Sequence, residues 1–347
     1  VGPAEIQLPC TDLAAALDYF VGQLGFRIET IFPADDPTTA SLSGYGLRLR
    51  LAPGAGDPGV IRLPCATLPP EGERMLQAPN GTRILLVDAD PPASMPPFAP
   101  AFVLSRAVDA ACGPGRAGMR YRDLIPSRLG GRYIASHITL PDGGPVADWV
   151  HFHKVHAQMI FCRQGWARLV YEDQGEPFLF SAGDCVLQPP LIRHRVLETS
   201  PGFEVVEVSS PALHETLADH DMDLPTGRLD PDRDFGGQVF HHGRAAHTPW
   251  DDFGDTGFQA RDTGLSRASG GRMNAKVLRP VANNRLAMAA SRAELILGFV
   301  LSGAAVLSFQ ADTALNAADA FVIPPGEPWR LEDVSSNLEL LLVTAPA

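Results

Sequence analysis

One pattern in this chain is used twice, and it restricts the fold more than anything else. From Phe161 the sequence reads FCRQGWARLVYEDQGEPFLFSAGDCVLQPPLIRHRVLE; from Phe299 it reads FVLSGAAVLSFQADTALNAADAFVIPPGEPWRLED. Gly303 falls on Gly165, Asp319 on Asp184, and Pro324-Pro325 on Pro189-Pro190. In both copies short apolar runs are separated by glycine, an Asp turn and a proline pair. That punctuation suits short strands and interrupts helices. A repeat of this length predicts two copies of one β-rich unit. The 347 residues leave room for a third unit, and 33 Gly with 32 Pro favour strands joined by turns.

The first copy also carries the chemistry. His151-Phe152-His153 places two imidazoles on one side of a strand, because alternate residues share a face. Lys154 to Ala157 turns the chain, Gln158 re-enters, and His194 returns after the proline pair. Three imidazoles and an amide oxygen meeting at one point would bind a divalent transition metal. The order HxH, Gln158, Gly165, Gly183-Asp184, Pro189-Pro190, His194 resembles the two-part motif of the cupin superfamily, with Gln where most members have Glu. The resemblance implies a mainly β fold with two double-stranded β-helix barrels. It also implies one metal in the first barrel, held by His151, His153, Gln158 and His194.

Read across the repeat, those four positions become Ala289, Ser291, Ile296 and Trp329. The second barrel is therefore expected to be a metal-free scaffold. Three neutral imidazoles and an amide leave the ion's 2+ charge uncompensated, which favours a small anionic, bidentate substrate. The expected function is a mononuclear Fe(II) dioxygenase. A Mn, Ni or Zn lyase or isomerase is the alternative, since cupin hydroxynitrile lyases resemble this site in having three His and one Gln. A non-catalytic binding or sensory protein is the third reading. Three imidazoles and an amide also suit Co. Tyr133 and His137, assigned inward parity on an early strand, are candidate acid/base or substrate contacts. His156 is a candidate proton carrier beside the ligands. Gln188 is a candidate polar contact, and Arg193 and Arg195 are expected to point away from the metal.

Ahead of the repeat, PCTDLAAALDYFVGQLGFRIE resembles the opening of a βαβββ module of the glyoxalase/vicinal-oxygen-chelate superfamily. Asp12 caps its helix, and Val60 to Leu63 and Thr82 to Val87 are expected to extend its sheet. Without histidines its metal set is incomplete, so the module is expected to act as structure, substrate lid or homodimer contact. The expected organisation is 1–88 module, 89–118 Pro-rich linker, 119–211 metal barrel, 212–255 linker and 256–347 second barrel. The linker histidines His214, His220, His241, His242 and His247 do not repeat at ligand spacing.

A net charge of −12 argues against nucleic acid and anionic membrane as partners, leaving a small-molecule substrate. No apolar run approaches the ~18 residues of a membrane span. Cys10, Cys65, Cys112, Cys162 and Cys185 are scattered without a CxxC pair, so buried thiols in a reducing cytoplasm are expected.

Overall fold

The computed structural model describes residues 3–91, 94–109 and 113–347, and the chain divides into two compact units, 1–92 and 93–347. Cys112 lies outside the described residues.

The first unit begins with the expected βαβββ order. Strand Ile6–Pro9 leads into helix Leu13–Leu17, where Asp12 Oδ1 accepts from Ala15 N–H at 3.0 Å. That bond satisfies one of the unpaired N–H groups of the first turn. The helix then widens to a π turn over Asp18–Gln23, with Leu24 N–H reaching back to Tyr19 O. Strands Arg27–Phe32, Thr39–Gly44 and Leu47–Ala52 follow, and Ile6–Pro9 pairs in parallel with Leu47–Ala52. Val60–Cys65 and Arg83–Asp88 do not extend this sheet as expected. With Met75–Gln77 they form a second sheet, packed on the same core through Ile61, Leu63 and Ile84. Arg27–Phe32, the edge strand of the first sheet, is exposed along its whole length.

The second unit is mainly β and holds both copies of the repeat. In the first copy a seven-stranded sheet runs His241–Gly243, Cys185–Leu187, Ala157–Gln164, Phe203–Ser210, Ile134–Leu140, Arg120–Asp123, Gly113–Pro114. It faces a six-stranded sheet that includes Trp166–Tyr171, His194–Thr199 and His151–His153. The second copy repeats the scheme, with Leu295–Ser302, Glu339–Ala345 and Asn274–Pro280 in its larger sheet and Ala304–Phe309 and Trp329–Glu332 in its smaller one. Both expected linkers contribute strands. Val103–Ser105 joins the second copy's sheet beside Ala320–Val322, and His241–Gly243 joins the first beside Cys185–Leu187.

Packing sorts the side chains of this second unit into three cores. Ile138, Cys162, Leu169 and Val205 fill the first barrel; Ile296, Phe321, Trp329 and Leu331 fill the second. Between the barrels the two large sheets pack face to face, with Met159, Phe161, Val206 and Val208 against Val277, Leu297, Phe299 and Leu341. Each large sheet is thus buried on both faces, so its strands read as apolar runs without polar alternation. This explains a correction to the sequence reading. On Ile134–Leu140 the even residues Ile134, Ser136, Ile138 and Leu140 line the first barrel, and Tyr133, Ala135 and His137 face the second.

Gly165 sits where the repeat demands a glycine. Its φ is +75°, and a Cβ there would lie 2.3 Å from Ser200 Oγ, so any other residue would be both strained and crowded. No helix among the described residues is long and apolar enough to cross a membrane.

Candidate metal centre

His151 and His194 sit directly opposite each other on adjacent antiparallel strands, and His153 is two residues along on the same face as His151. Their ring centroids are 4.1 Å apart for His151 and His194, and 5.2 Å for each pair with His153. One ligand atom from each lies within 4.8 Å of the others, making this the one such group of His, Cys, Asp or Glu among the described residues.

The second nitrogen of each ring decides what the first can do. His151 Nδ1 donates to Trp149 O at 2.8 Å and His194 Nδ1 to Ile192 O at 3.0 Å. A carbonyl can only accept, so both rings carry their proton on Nδ1 and their lone pair on Nε2. His153 Nδ1 meets Thr216 Oγ1 at 2.9 Å, and the hydroxyl can complete the same arrangement. Asp148, fully buried, brings Oδ1 to 3.6 Å from His151 Nδ1, while its Oδ2 accepts from Val196 N–H. Metal-ligating histidines are oriented by such acceptors on their remote nitrogen. The chemistry of the donor set therefore fits a divalent transition ion held by three Nε2 atoms.

Gln158, the fourth expected ligand, is buried and shares the inward face with Ile160 and Cys162. Its Oε1 accepts from Gln188 Nε2 at 2.8 Å, and Gln188 Oε1 accepts from Tyr171 O–H at 2.9 Å. Tyr171 in turn stacks on His194, with ring centroids 5.4 Å apart. The amide thus closes a buried relay that supports His194. Burial holds the Tyr171 hydroxyl well above its ordinary range, and the charge of Glu207 pushes it the same way, so it stays a donor.

The three imidazoles line a cavity of about 320 Å³. Its walls include Ile138, Leu140, Leu169, Phe180 and Val205, and its polar contributors include Gln188, Ser136, Glu207, His214 and Thr216. Glu207 corrects the expectation that the site holds no carboxylate. It shares the inward side of Phe203–Ser210 with Val205, opposite Ile160 on one neighbour and Ser136 on the other. His214, expected in a solvated linker, places its ring 5.6 Å from His153. Burial lowers its pKa, an effect only partly offset by the bond from Nδ1 to Pro211 O.

The three expected catalytic residues are elsewhere. Tyr133 O–H donates to Glu294 Oε2 at 3.3 Å, in the contact between barrels. His137 bonds Glu204 Oε2 through Nε2 at 2.8 Å and lies edge-on to Phe299. Both follow from the reversed facing of their strand. His156 is exposed, because Val155 and Ala157 take the buried places on either side of it. Arg193 stacks on Phe152 and bonds Asp219 at 3.1 Å, outside the cavity as expected, whereas Arg195, expected to point away as well, lines the cavity. The thiols of Cys162 and Cys185 are buried, pushed up by desolvation, and line no part of the cavity.

No family model matches the sequence, and no curated protein does. Solved structures do. An oxalate decarboxylase from Lactobacillus farciminis, in complex with formate, superposes with a TM-score of 0.51 at 15% identity, covering 70% of this chain and 86% of that one. A variant of Bacillus subtilis oxalate decarboxylase gives 0.52 at 12% identity, covering 73% and 78%. A structure from work on the Mn(II) centres of the Bacillus subtilis enzyme gives 0.50 at 13% identity, covering 73% and 78%. The fold is that of a bicupin. At these identities the likeness is one of architecture, and the chemistry of this chain rests on its own residues.

Register in the two barrels corrects one more expectation. His151 pairs with His194, whereas Met288 pairs with Trp329. The place of His151 is therefore taken by Met288 and not Ala289. Gln158 follows His151 by seven positions and Ile296 follows Met288 by eight, a slip that a gap-free alignment hides.

Proposed function

We propose that this protein is a metal-dependent enzyme that cleaves or rearranges a small organic acid in its first barrel. The observation carrying this reading is the convergence of His151, His153 and His194, with carbonyl acceptors fixing the tautomer of two of them. Such an ion would supply Lewis acidity, or reactivity towards O2 if it is Fe(II). Three imidazoles suit Fe, Mn, Ni, Co or Zn, so no residue here selects among them.

The cavity describes the substrate class. The three imidazoles are neutral ligands, and in the lining the charge of Glu207 is offset by that of Arg195, so an ion of charge 2+ leaves the cavity net positive and attractive to an anion. Ile138, Leu140, Leu169 and Phe180 offer an apolar wall that excludes water around the rest of the molecule. An α-hydroxy acid, enolate or β-diketone with an alkyl or aromatic body meets both demands. Glu207 is the ionisable oxygen placed to accept or return a proton, with Gln188 and Tyr171 holding the polar end of the wall.

A carboxylate in the cavity favours a non-redox lyase or isomerase. The Mn(II) oxalate decarboxylases that share the fold are compatible with that choice. The dioxygenase reading is supported by the open coordination positions that three ligands leave. Turnover by metal-loaded protein, followed with and without O2 on a panel of such acids, separates the two. Anaerobic turnover supports the lyase, and stoichiometric O2 uptake supports the oxygenase. A loaded protein inert towards the panel would leave a binding role, and a protein that takes up no metal would sink the proposal. The second barrel is proposed as scaffold, since Ile296 and Trp329 pack its interior.

A further inference from the structure

Strand Ala157–Gln164 has two buried faces, and only one serves the metal cavity. On the other, Phe161 and Arg163 border a second pocket of about 390 Å³ between the barrels. Its remaining lining includes Gly183, Trp250, Arg261, Arg279 and Glu339.

Arg261 is the anomaly. Its residue is only 8% exposed, yet among the described residues its guanidinium makes neither an ion pair nor a hydrogen bond, and its buried Nε has no partner. A buried cation in that state is costly, because its lost hydration is not repaid by a partner. Such cations are rare unless something pairs with them. Among the described residues Arg279 forms no ion pair either, and bonds the neutral Gln259 Oε1 at 2.9 Å. Both guanidinium groups lie over the Trp250 indole, at 5.4 Å for Arg261 and 4.0 Å for Arg279. The ring is therefore a shared platform that holds two like charges side by side. Burial lowers the pKa of Arg261, and Glu339 and Asp184 draw it back up, so the group remains a cation.

The neighbours preserve that arrangement. Gly183 has φ +89°, and a Cβ there would meet Ala245 Cβ at 2.9 Å and the Arg261 Nη atoms at 3.1–3.2 Å. The turn glycine of the first barrel thus leaves room for an arginine of the second. Arg163 is neutralised by Glu204. Glu339 offsets one of the two remaining charges, so one positive charge is left over in the pocket.

We propose that this pocket is an anion-binding site, separate from the metal centre, in which Arg261 and Arg279 grip a small carboxylate or phosphate against the Trp250 ring. Planar forks of this kind match the paired oxygens of both anions. The test is thermal unfolding of the metal-loaded protein in inorganic phosphate or benzoate, at ionic strength fixed with chloride. A saturable rise in Tm is expected with one or both, roughly 5 °C at a hundredfold excess over Kd. Saturation by phosphate alone or by benzoate alone names the source. In Arg261→Met the shift should fall at least tenfold in apparent affinity, while Tm without anion stays level or rises because an unpaired buried charge is gone. If Arg261→Met does not fold, Arg279→Gln reads the same loss. A shift that never saturates, or that persists undiminished in these variants, overturns the site.

Discussion

The two barrels share strand order and turns but have opposite interiors. In the first, His194, Gln188, Tyr171 and Glu207 line a cavity, and Gln158 bonds Gln188 behind it. Alignment with register puts Trp329, Ile296, Ile323, Phe309 and Leu342 in the same places of the second, where they pack as apolar core. Trp329 lies edge-on to Phe321 at 5.2 Å, in space that the first barrel leaves to its imidazoles. The fold is therefore indifferent to what fills it. A polar network that satisfies its own hydrogen bonds and a packed apolar core support the same sheets.

The largest effect expected from breaking this contrast is on metal content. His153→Ala or His194→Ala should take the purified protein from about one ion per chain to almost none by elemental analysis. Trp329→Ala should leave metal content unchanged while lowering stability by about 3–5 kcal/mol in denaturant unfolding, as large aromatic truncations do. Metal loss in Trp329→Ala would show that the second barrel is more than scaffold.

A smaller change should follow from removing the acceptors behind the imidazoles. Asp148→Asn and Thr216→Val are expected to weaken metal binding about 10–100-fold in chelator competition, with the fold intact. Glu207→Gln should retain metal yet lower kcat about 10²–10⁴-fold if Glu207 carries the proton. Should it instead lose metal as His194→Ala does, Glu207 is a ligand.

The smallest effect concerns acid stability. Burial alone would raise the carboxyl of Asp184, but bonds from His242, Ser181 N–H and Ala245 N–H outweigh it and hold it below its usual range. Glu204 is lowered likewise, with His137 and Arg163 outweighing burial. Folded-state values below the unfolded ones mean that this stability is complete above about pH 4–5 and lost as pH falls through the lowered values. Asp184→Asn should flatten the acid limb of a denaturation curve measured from pH 6 to pH 3.

Much of the site was legible because its signals are local. HxH on one strand, the turn glycines and the proline pair are short-range patterns, and they placed His151, His153 and His194 together. Glu207 was not legible. It lies three residues from Glu204 on a strand buried on both faces, so alternation separates the two without saying which enters the barrel. Leu342 at its place in the second copy was the available signal. Asp148 and Thr216 were missed because they act on the remote nitrogens of residues that already looked complete. The exposed place of His156 lay in a turn whose direction depends on its contacts.

By itself the sequence determined that the chain holds a doubled strand-and-turn unit, and that one copy carries histidines at spacing suited to an ion. Turn chemistry and period-two alternation act over a few residues, and neither needs the rest of the chain. Only the tertiary structure decided which side of Ile134–Leu140 faces the cavity, and it alone brought Glu207 and His214 to the site. It also left Arg261 between the barrels with no ion pair or hydrogen bond among the described residues. Those outcomes depend on which sheet covers which, a choice made by the packing of distant apolar faces.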